Sequence, residues 1–285
     1  MRPVTVIIVA FHSPETLDRC LAGLDRSFAT TVVDNSSSVA VRRVAFRHGA
    51  DYVDPGRNLG FAAAVNLGLA PLLAGPPTDP LLLNPDAVID RFAIEKLSSA
   101  MHGDSTGRFA AVTPRLIGDD GREQRVMWPF PSPIGAWSEA MGFRRGRRSG
   151  SFAIGAALLL NWDALTQVGL FDERFFLYAE EADWQRRAAA LGWRSDVCMD
   201  AIGRHLGAAA DIAPARRLAL FHAAQETYVR KWHGRAGWWT YRAAAVAGAA
   251  VRALLLSGDR RADAARRALL YARGPSRCAR AAGHT

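Results

Sequence analysis

The chain opens on Val4-Thr-Val-Ile-Ile-Val-Ala10, an apolar and largely β-branched run without strict polar alternation. That pattern predicts a strand buried on both faces. Pro14 to Leu24 carries apolar residues at Leu17, Cys20, Leu21 and Leu24, a helical spacing, with Ser13 placed as N-cap and Pro14 at the first helical position. Thr31–Asp34 predicts a second short strand closed by the polar turn Asn35–Ser38. Tyr52–Val53 predicts a third, ahead of the loop Asp54–Gly60. Phe61 to Leu73 predicts a helix, and Leu81–Leu83 a buried strand stopped by Asn84-Pro85-Asp86. Strands alternating with helices predict an α/β fold, a mostly parallel central sheet flanked by helices on both faces.

In such sheets ligands sit at the carboxyl ends of the strands. The polar clusters His12-Ser13, Asp34-Asn35, Arg57-Asn58 and Asn84-Pro85-Asp86 all fall there. The second half is less regular. Phe109–Ile117 predicts a strand and Gly118–Gly121 a turn. Residues 128–150, rich in Pro, Trp, Gly and Arg, read as a long irregular loop of the kind that is functional or mobile. Phe152–Leu160 predicts a strand, Trp162–Val168 a short helix, and Phe171–Tyr178 an aromatic loop. Ala179–Leu191 predicts a helix ended by Gly192, and Arg194–Met199 a strand running on to His205. From Pro214 the chain reads as helical to about residue 273.

Composition narrows the class. With 285 residues, 49% apolar and 22% charged, the chain is a soluble globular protein, not a disordered or fibrous one. Cys20, Cys198 and Cys278 form no Cys-x-x-Cys pair, which excludes a cysteine zinc ribbon and fits a reducing compartment. With a first strand expected at Val4, no signal peptide is expected. No apolar run reaches the ~18 residues of a membrane span.

The net charge of +9 is concentrated at one end: residues 230–285 hold twelve Arg or Lys against Asp259 and Asp263, and the rest is close to neutral. Such a tail suits a polyanionic surface. Without aromatic residues interleaved among the arginines, nucleic acid is not expected. Ala243–Val251, bracketed by Arg242 and Arg252, is too short to cross a bilayer of ~30 Å. With Trp238-Trp239 at one end, the expectation is a helix lying on an anionic membrane. The alternative is an alanine-rich helix packed on the domain with a disordered basic end, and Trp238-Trp239 as core.

Several residues carry candidate chemistry, each with a structural alternative. Asp86 ends a buried strand either as part of a turn or as an oxygen ligand for Mg²⁺ or Mn²⁺. Asp34 either caps its turn or accepts from a base imide. Arg57 and the helix start after Gly60 suit phosphate oxygens. Glu180, Glu181 and Asp183 open a helix, where the dipole favours acids by about 0.3–1 kcal/mol each, or provide a general base. His205 is either structural or a metal ligand.

Taken together, the ordered motifs from Val4 to about His233 resemble inverting family-2 glycosyltransferases with the GT-A fold. Val32-Val-Asp-Asn-Ser36 is similar to the family's base-binding turn, and Arg57–Gly68 to its Asn-x-Gly donor segment. Asn84-Pro85-Asp86 stands where the family has an Asp-x-Asp metal motif. Gly169–Asp183 resembles its Gly-Phe-Asp-Glu…Tyr-x-Glu-Asp-x-Asp segment. The rhamnosyltransferase-like branch matches best, helped by Thr227-Tyr228, Trp232-His233 and Gly237-Trp-Trp239. There are departures: Glu181 replaces the usual Asp, and Leu206–Ala210 lacks the Ser often found after the histidine.

The resemblance implies a GT-A domain over 1–233 (nucleotide-sugar half 1–125, acceptor half 126–233) and a basic helical extension over 234–285. It implies Glu181 as base, supported by Asp183. Ala10, His12, Asp34, Arg57, Asn58, Gly60, Asn66, Asn84 and Asp86 would hold the nucleotide sugar. Asp86 and His205 would hold Mg²⁺ or Mn²⁺, and Trp128, Tyr178 and Glu180 would meet the acceptor. The implied reaction moves a sugar, L-rhamnose from dTDP-rhamnose in the best-matched branch, to a glycan or polyprenyl-diphosphate-linked hydroxyl. The implied setting is the cytoplasm, peripheral on the inner face of the cell membrane, with a homodimer left open. A dehydrogenase is excluded because Ala10-Phe-His-Ser-Pro14 offers no glycine-rich turn, and a sugar-nucleotide pyrophosphorylase because no glycine-rich basic loop follows the first strand. A non-catalytic glycan- or nucleotide-binding protein of the same fold stays open as the alternative.

Overall fold

The computed structural model describes residues 2–103, 108–143, 150–207 and 213–281. Residues 144–149 of the expected loop, Ala208–Ala210 after His205, and the last four residues lie outside these. The chain forms two compact units. The first takes residues up to 128, 151–176 and 180–207; the second takes 129–143 with Gly150, 177–179 and 213–281. The boundary expected at residue 233 lies inside the second unit.

In the first unit β1 (Val4–Ala10), α1 (Pro14–Gly23), β2 (Ala29–Asp34), α2 (Val39–Arg47), β3 (Asp51–Val53), α3 (Phe61–Ala74) and β4 (Asp79–Leu83) follow the expected alternation. The helix α2 fills a stretch left unassigned above; Val41, Val44 and Ala45 form its buried stripe. Then come β5 (Ala87–Ile89), α4 (Arg91–Gly103), β6 (Phe109–Ile117), β7 (Glu123–Gln124) and β8 (Met127–Pro129). Further along are β9 (Ser151–Ala153), β10 (Ala157–Leu160), α6 (Trp162–Val168), α7 (Glu180–Ala190) and β11 (Arg194–His205).

The main sheet has the order β3-β2-β1-β4-β10-β6-β11-β5, with β7 on β6; β8 and β9 pair separately. The first four strands are parallel. Beyond β4 the sheet is mixed, because β10 enters antiparallel to both β4 and β6. Two apolar clusters explain the unbroken hydrophobic run of β1. Val6 and Ile8 pack into one with α1, α2 and α4, while Ile7 and Val9 pack into the other with α3, α6 and α7. The run expected over Phe152–Leu160 is two strands, interrupted at Ile154–Ala156.

The second unit is helical: α5 (Pro133–Ala140), α8 (Pro214–Leu255), α9 (Gly258–Arg273) and α10 (Pro275–Ala281). Part of the stretch expected as irregular loop is thus α5, capped by Ser132, whose hydroxyl accepts from Gly135 N. Within α8 the helical geometry breaks at Gly234, where φ is 67°. The basic extension is folded. Tyr228, Trp238 and Tyr271 are buried together with His222, whose Nδ1 lies 2.9 Å from the Tyr271 hydroxyl. Glu226 accepts from Ser276 N and Oγ, and Arg242 donates to the carbonyls of Tyr271 and Ala272 at the end of α9. Trp238 is 1% exposed and Trp239 57%, so the tryptophan pair does not act together at a surface; Trp238 is core.

Candidate active site

The carboxyl edge of β1 and β2 is joined by a polar network. Asn35 N donates to the Ala10 carbonyl, and its amide donates to Gly60 O at 2.9 Å while accepting from Leu59 N. His12 N donates to Ser36 Oγ, which donates to Asp34. Asn58 accepts from Gly60 N. The residues expected to surround a donor, Ala10, His12, Asp34, Asn58 and Gly60, are thereby brought together. His12 and Ser37 hold φ of 48° and 50°, a left-handed geometry uncommon outside glycine. Gly60 is required: its φ is 80°, and a Cβ there would stand 2.3 Å from the Phe176 carbonyl oxygen. Arg57 is exposed and makes no ion pair among the described residues.

Asp34 differs from the expectation of a base contact. It is fully buried and takes four hydrogen bonds, from Ser36 N, Ser36 Oγ, Ser38 N and the Tyr52 hydroxyl. Its carboxylate is committed to building the turn. Ser13 also departs from expectation: it precedes α1 without a side-chain cap bond, and its buried Oγ has no partner. The side chain of Asn66 is engaged by the aromatic loop: it donates to Phe171 O and Glu173 and accepts from Phe171 N, fastening that loop.

Asp86 and His205 meet. His205 Nε2 is 3.4 Å from Asp86 Oδ1, and both side chains are largely buried. Asn84 sets the connection, donating its N–H to Ala156 O while its carbonyl accepts from Ala87 N. Gln124 grips His205 twice: its amide donates to the His205 carbonyl, and its oxygen faces Nδ1 at 2.9 Å. Since the backbone carbonyl only accepts, the other end of the amide is oxygen, and Nδ1 carries the proton. In the neutral ring Nε2 is then a bare lone pair opposite a carboxylate oxygen, a pairing of two acceptors that a divalent cation satisfies. The residues present therefore fit Mg²⁺ or Mn²⁺. Among the described residues no group of three or more His, Cys, Asp or Glu forms, so the remaining ligands would come from elsewhere.

Helix α7 delivers the acids. Tyr178 and Ala179, with φ of 73° and 66°, turn the chain sharply into it. Glu180 is buried and Glu181 half-buried, and Oε2 of each is buried without a hydrogen-bond partner among the described residues. Burial pushes the Glu181 carboxyl up to about 7. It pushes Glu180 well up too, with the Glu181 charge adding to the effect. Asp183 differs in kind: it is fully buried and paired with Arg187 at 3.1 Å, while Arg187 also donates to Val168 O and Leu170 O. This pair anchors α7 and holds Asp183 fully buried. Trp184 supports the same helix, stacked on Phe171 and donating to Gly169 O. Trp128 is 43% exposed, its ring covered on one side by the Arg125 guanidinium at 4.1 Å. Tyr178 lies in the second unit, its ring edge-on to Phe221.

Sequence reasoning missed Gln124 and Arg187, which carry no motif, and placed Asn35 at the sheet edge without giving it a role of its own.

No family model matches the chain. It is 28% identical over 272 residues, 84% of this chain and 87% of the relative, to an N-acetylglucosaminyl-diphospho-decaprenol L-rhamnosyltransferase of Mycobacterium tuberculosis. It is 26% identical over 193 residues, 65% of this chain and 61% of the relative, to the low-salt glycan biosynthesis hexosyltransferase Agl10 of Haloferax volcanii. Among solved structures it superposes on glucosyl-3-phosphoglycerate synthase of M. tuberculosis, crystallised with Mn²⁺, UDP and phosphoglyceric acid, with a TM-score of 0.55 and 12% identity over 81% of this chain and 78% of that one. The fold is that of the GT-A glycosyltransferases. These comparisons support a nucleotide-sugar-dependent glycosyltransferase, and the chain resembles the rhamnosyltransferase-like members of that class.

Proposed function

We propose that the enzyme transfers L-rhamnose from dTDP-rhamnose, with inversion, to a hydroxyl of a polyprenyl-diphosphate-linked sugar. The observation that carries the mechanism is the Glu181 carboxyl, raised to about 7 by burial with an oxygen left unpartnered. A general base is most effective with a pKa near the working pH. The similarity to a decaprenol-linked rhamnosyltransferase supports the donor and acceptor classes.

In this reading Arg57 and the amides at the start of α3 hold the diphosphate, and the turn built by Asp34, Asn35 and Ser36 holds the nucleoside beside His12. Asp86 and His205 would hold Mg²⁺ or Mn²⁺, which when bound offsets negative charge on the leaving diphosphate. Glu181 takes the proton of the acceptor hydroxyl. The acceptor oxygen bonds to the anomeric carbon from the face opposite the departing group. The bond from that carbon to the diphosphate oxygen breaks, and its electron pair leaves with the nucleoside diphosphate. Glu180 is buried while Glu181 is only half-buried, so Glu181 is the carboxyl that an acceptor hydroxyl can reach. Trp128 offers an exposed ring on which an acceptor sugar can stack. A lipid-linked acceptor places the enzyme at the cytoplasmic membrane face.

A screen of nucleotide sugars, scored by nucleoside diphosphate release with and without Mn²⁺ or Mg²⁺, tests the assignment. dTDP-rhamnose should give the fastest metal-dependent release in the presence of a lipid-linked acceptor. Nucleotide binding without release from any donor would instead favour the non-catalytic alternative.

A further inference from the structure

We propose that the end of α8, together with the adjoining end of α5, forms an apolar wedge that enters an anionic lipid bilayer. Val251, Leu254 and Leu255 are 48%, 80% and 78% exposed. Their spacing places them on one face of the last turns of α8. The neighbouring helix extends the patch. A Cβ added at Gly248 would lie 2.9 Å from the Ala140 backbone, so the glycine lets the last turn of α5 press against α8, and the next residue, Met141, is also exposed. The chain turns a corner at Leu256 and Ser257 before α9 begins, so the leucines stand at the end of α8. Leu254 and Leu255 are the least covered of these side chains.

The rim is cationic. Arg260 and Arg261, on the first turn of α9, are exposed and make no ion pair among the described residues, whereas Arg252, beside Val251 on α8, is paired with Glu139 at 3.9 Å. Exposed leucines followed a few residues on by two exposed, unpaired arginines are suited to an interface where apolar side chains enter the acyl boundary and cations meet lipid phosphate. A second copy of this chain fits poorly. Residues 230–285 carry twelve basic residues against two acids, and a self-facing patch would set like charges together. Among the described residues no helix is long and apolar enough to cross a membrane, so the wedge inserts without spanning. Trp238, which the sequence suggested for this task, is core; the helix end takes its place.

The proposal deepens the lipid-linked acceptor reading and rests on it for its biological sense. Its test is read without donor or acceptor, and so stands or falls independently of transfer. The full chain is sedimented with phosphatidylglycerol vesicles and with phosphatidylcholine vesicles over a salt series. The intact protein should bind the anionic vesicles and bind the neutral ones poorly. Leu254→Ser/Leu255→Ser should lower binding about tenfold or more at fixed salt while leaving circular dichroism unchanged, since both side chains are exposed. Arg260→Glu/Arg261→Glu should weaken binding most at low salt. Equal binding by the leucine variant and the intact protein would overturn the wedge. So would an ultracentrifugal dimer of the intact protein that the leucine variant dissolves, since a second copy would then occupy the face.

Discussion

His205 Nε2 stands 3.4 Å from Asp86 Oδ1 because β5 and β11 pair antiparallel in a register that sets His205 opposite Ala87. Leu206 N also donates to the Asp86 carbonyl, locking the two segments at that point. Gln124 then fixes which ring nitrogen faces the carboxylate. Replacing Gln124 with leucine removes that control. Nitrogen-15 spectra of the metal-free protein should show the Nδ1–H tautomer in the parent and a mixture in the variant. Mn²⁺ affinity measured with UDP present should fall about 10- to 100-fold. Asp86→Ala should weaken UDP binding mainly when Mn²⁺ is present and remove most transfer; unchanged metal-dependent turnover would count against the pair.

Glu181→Gln should reduce turnover by about two to four orders of magnitude with donor binding nearly intact, since glutamine keeps the shape but takes no proton. The rate of the parent should rise with pH through about 7, as the raised Glu181 carboxyl ionises, and the variant should lose that limb. If Asp183→Asn proves far more damaging to turnover at equal stability, the base is the other carboxylate.

The same shift makes a stability prediction. The folded protein holds the Glu181 proton more tightly than the unfolded chain, so its burial costs nothing below the unfolded value near 4.5 and destabilises increasingly as pH rises through about 7. Glu181→Gln should therefore be stabilising at pH 8, on the order of 1–3 kcal/mol, and close to neutral at pH 4. Urea unfolding at the two pH values reads the difference.

Arg187→Met should strongly destabilise the first unit, by about 3–5 kcal/mol, because buried Asp183 loses its ion-pair partner while Val168 O and Leu170 O lose their donors. The double replacement Asp183→Asn/Arg187→Met should recover part of the loss. Denaturant midpoints of the three variants give the coupling.

Gly60→Ala should cost more than the usual 0.5–1 kcal/mol of a helix-end change, roughly 2–4 kcal/mol, because the new Cβ meets the rigid Phe176 carbonyl in a left-handed backbone. Thermal unfolding reads it, and UDP affinity should fall with it if the loop carries the diphosphate.

The sequence by itself determined the elements whose burial is two-sided or strongly periodic. The β1 run, the α3 helix and the strand ending at Asn84 were legible because each pattern is local, and with them the placing of polar residues at one sheet edge. The acidic start of α7 was legible for the same reason. What a carboxylate is free to do was not local. Asp34 and Asp183 look as available as Glu181 in the chain, yet four donors saturate one and Arg187 neutralises another, and only the packing of distant segments decides this. Likewise Trp238 and Trp239 are adjacent in sequence, but helical geometry turns one into the core and leaves the other in solvent. Gln124, a polar residue on a two-residue strand, acquires its role only when β11 brings His205 alongside.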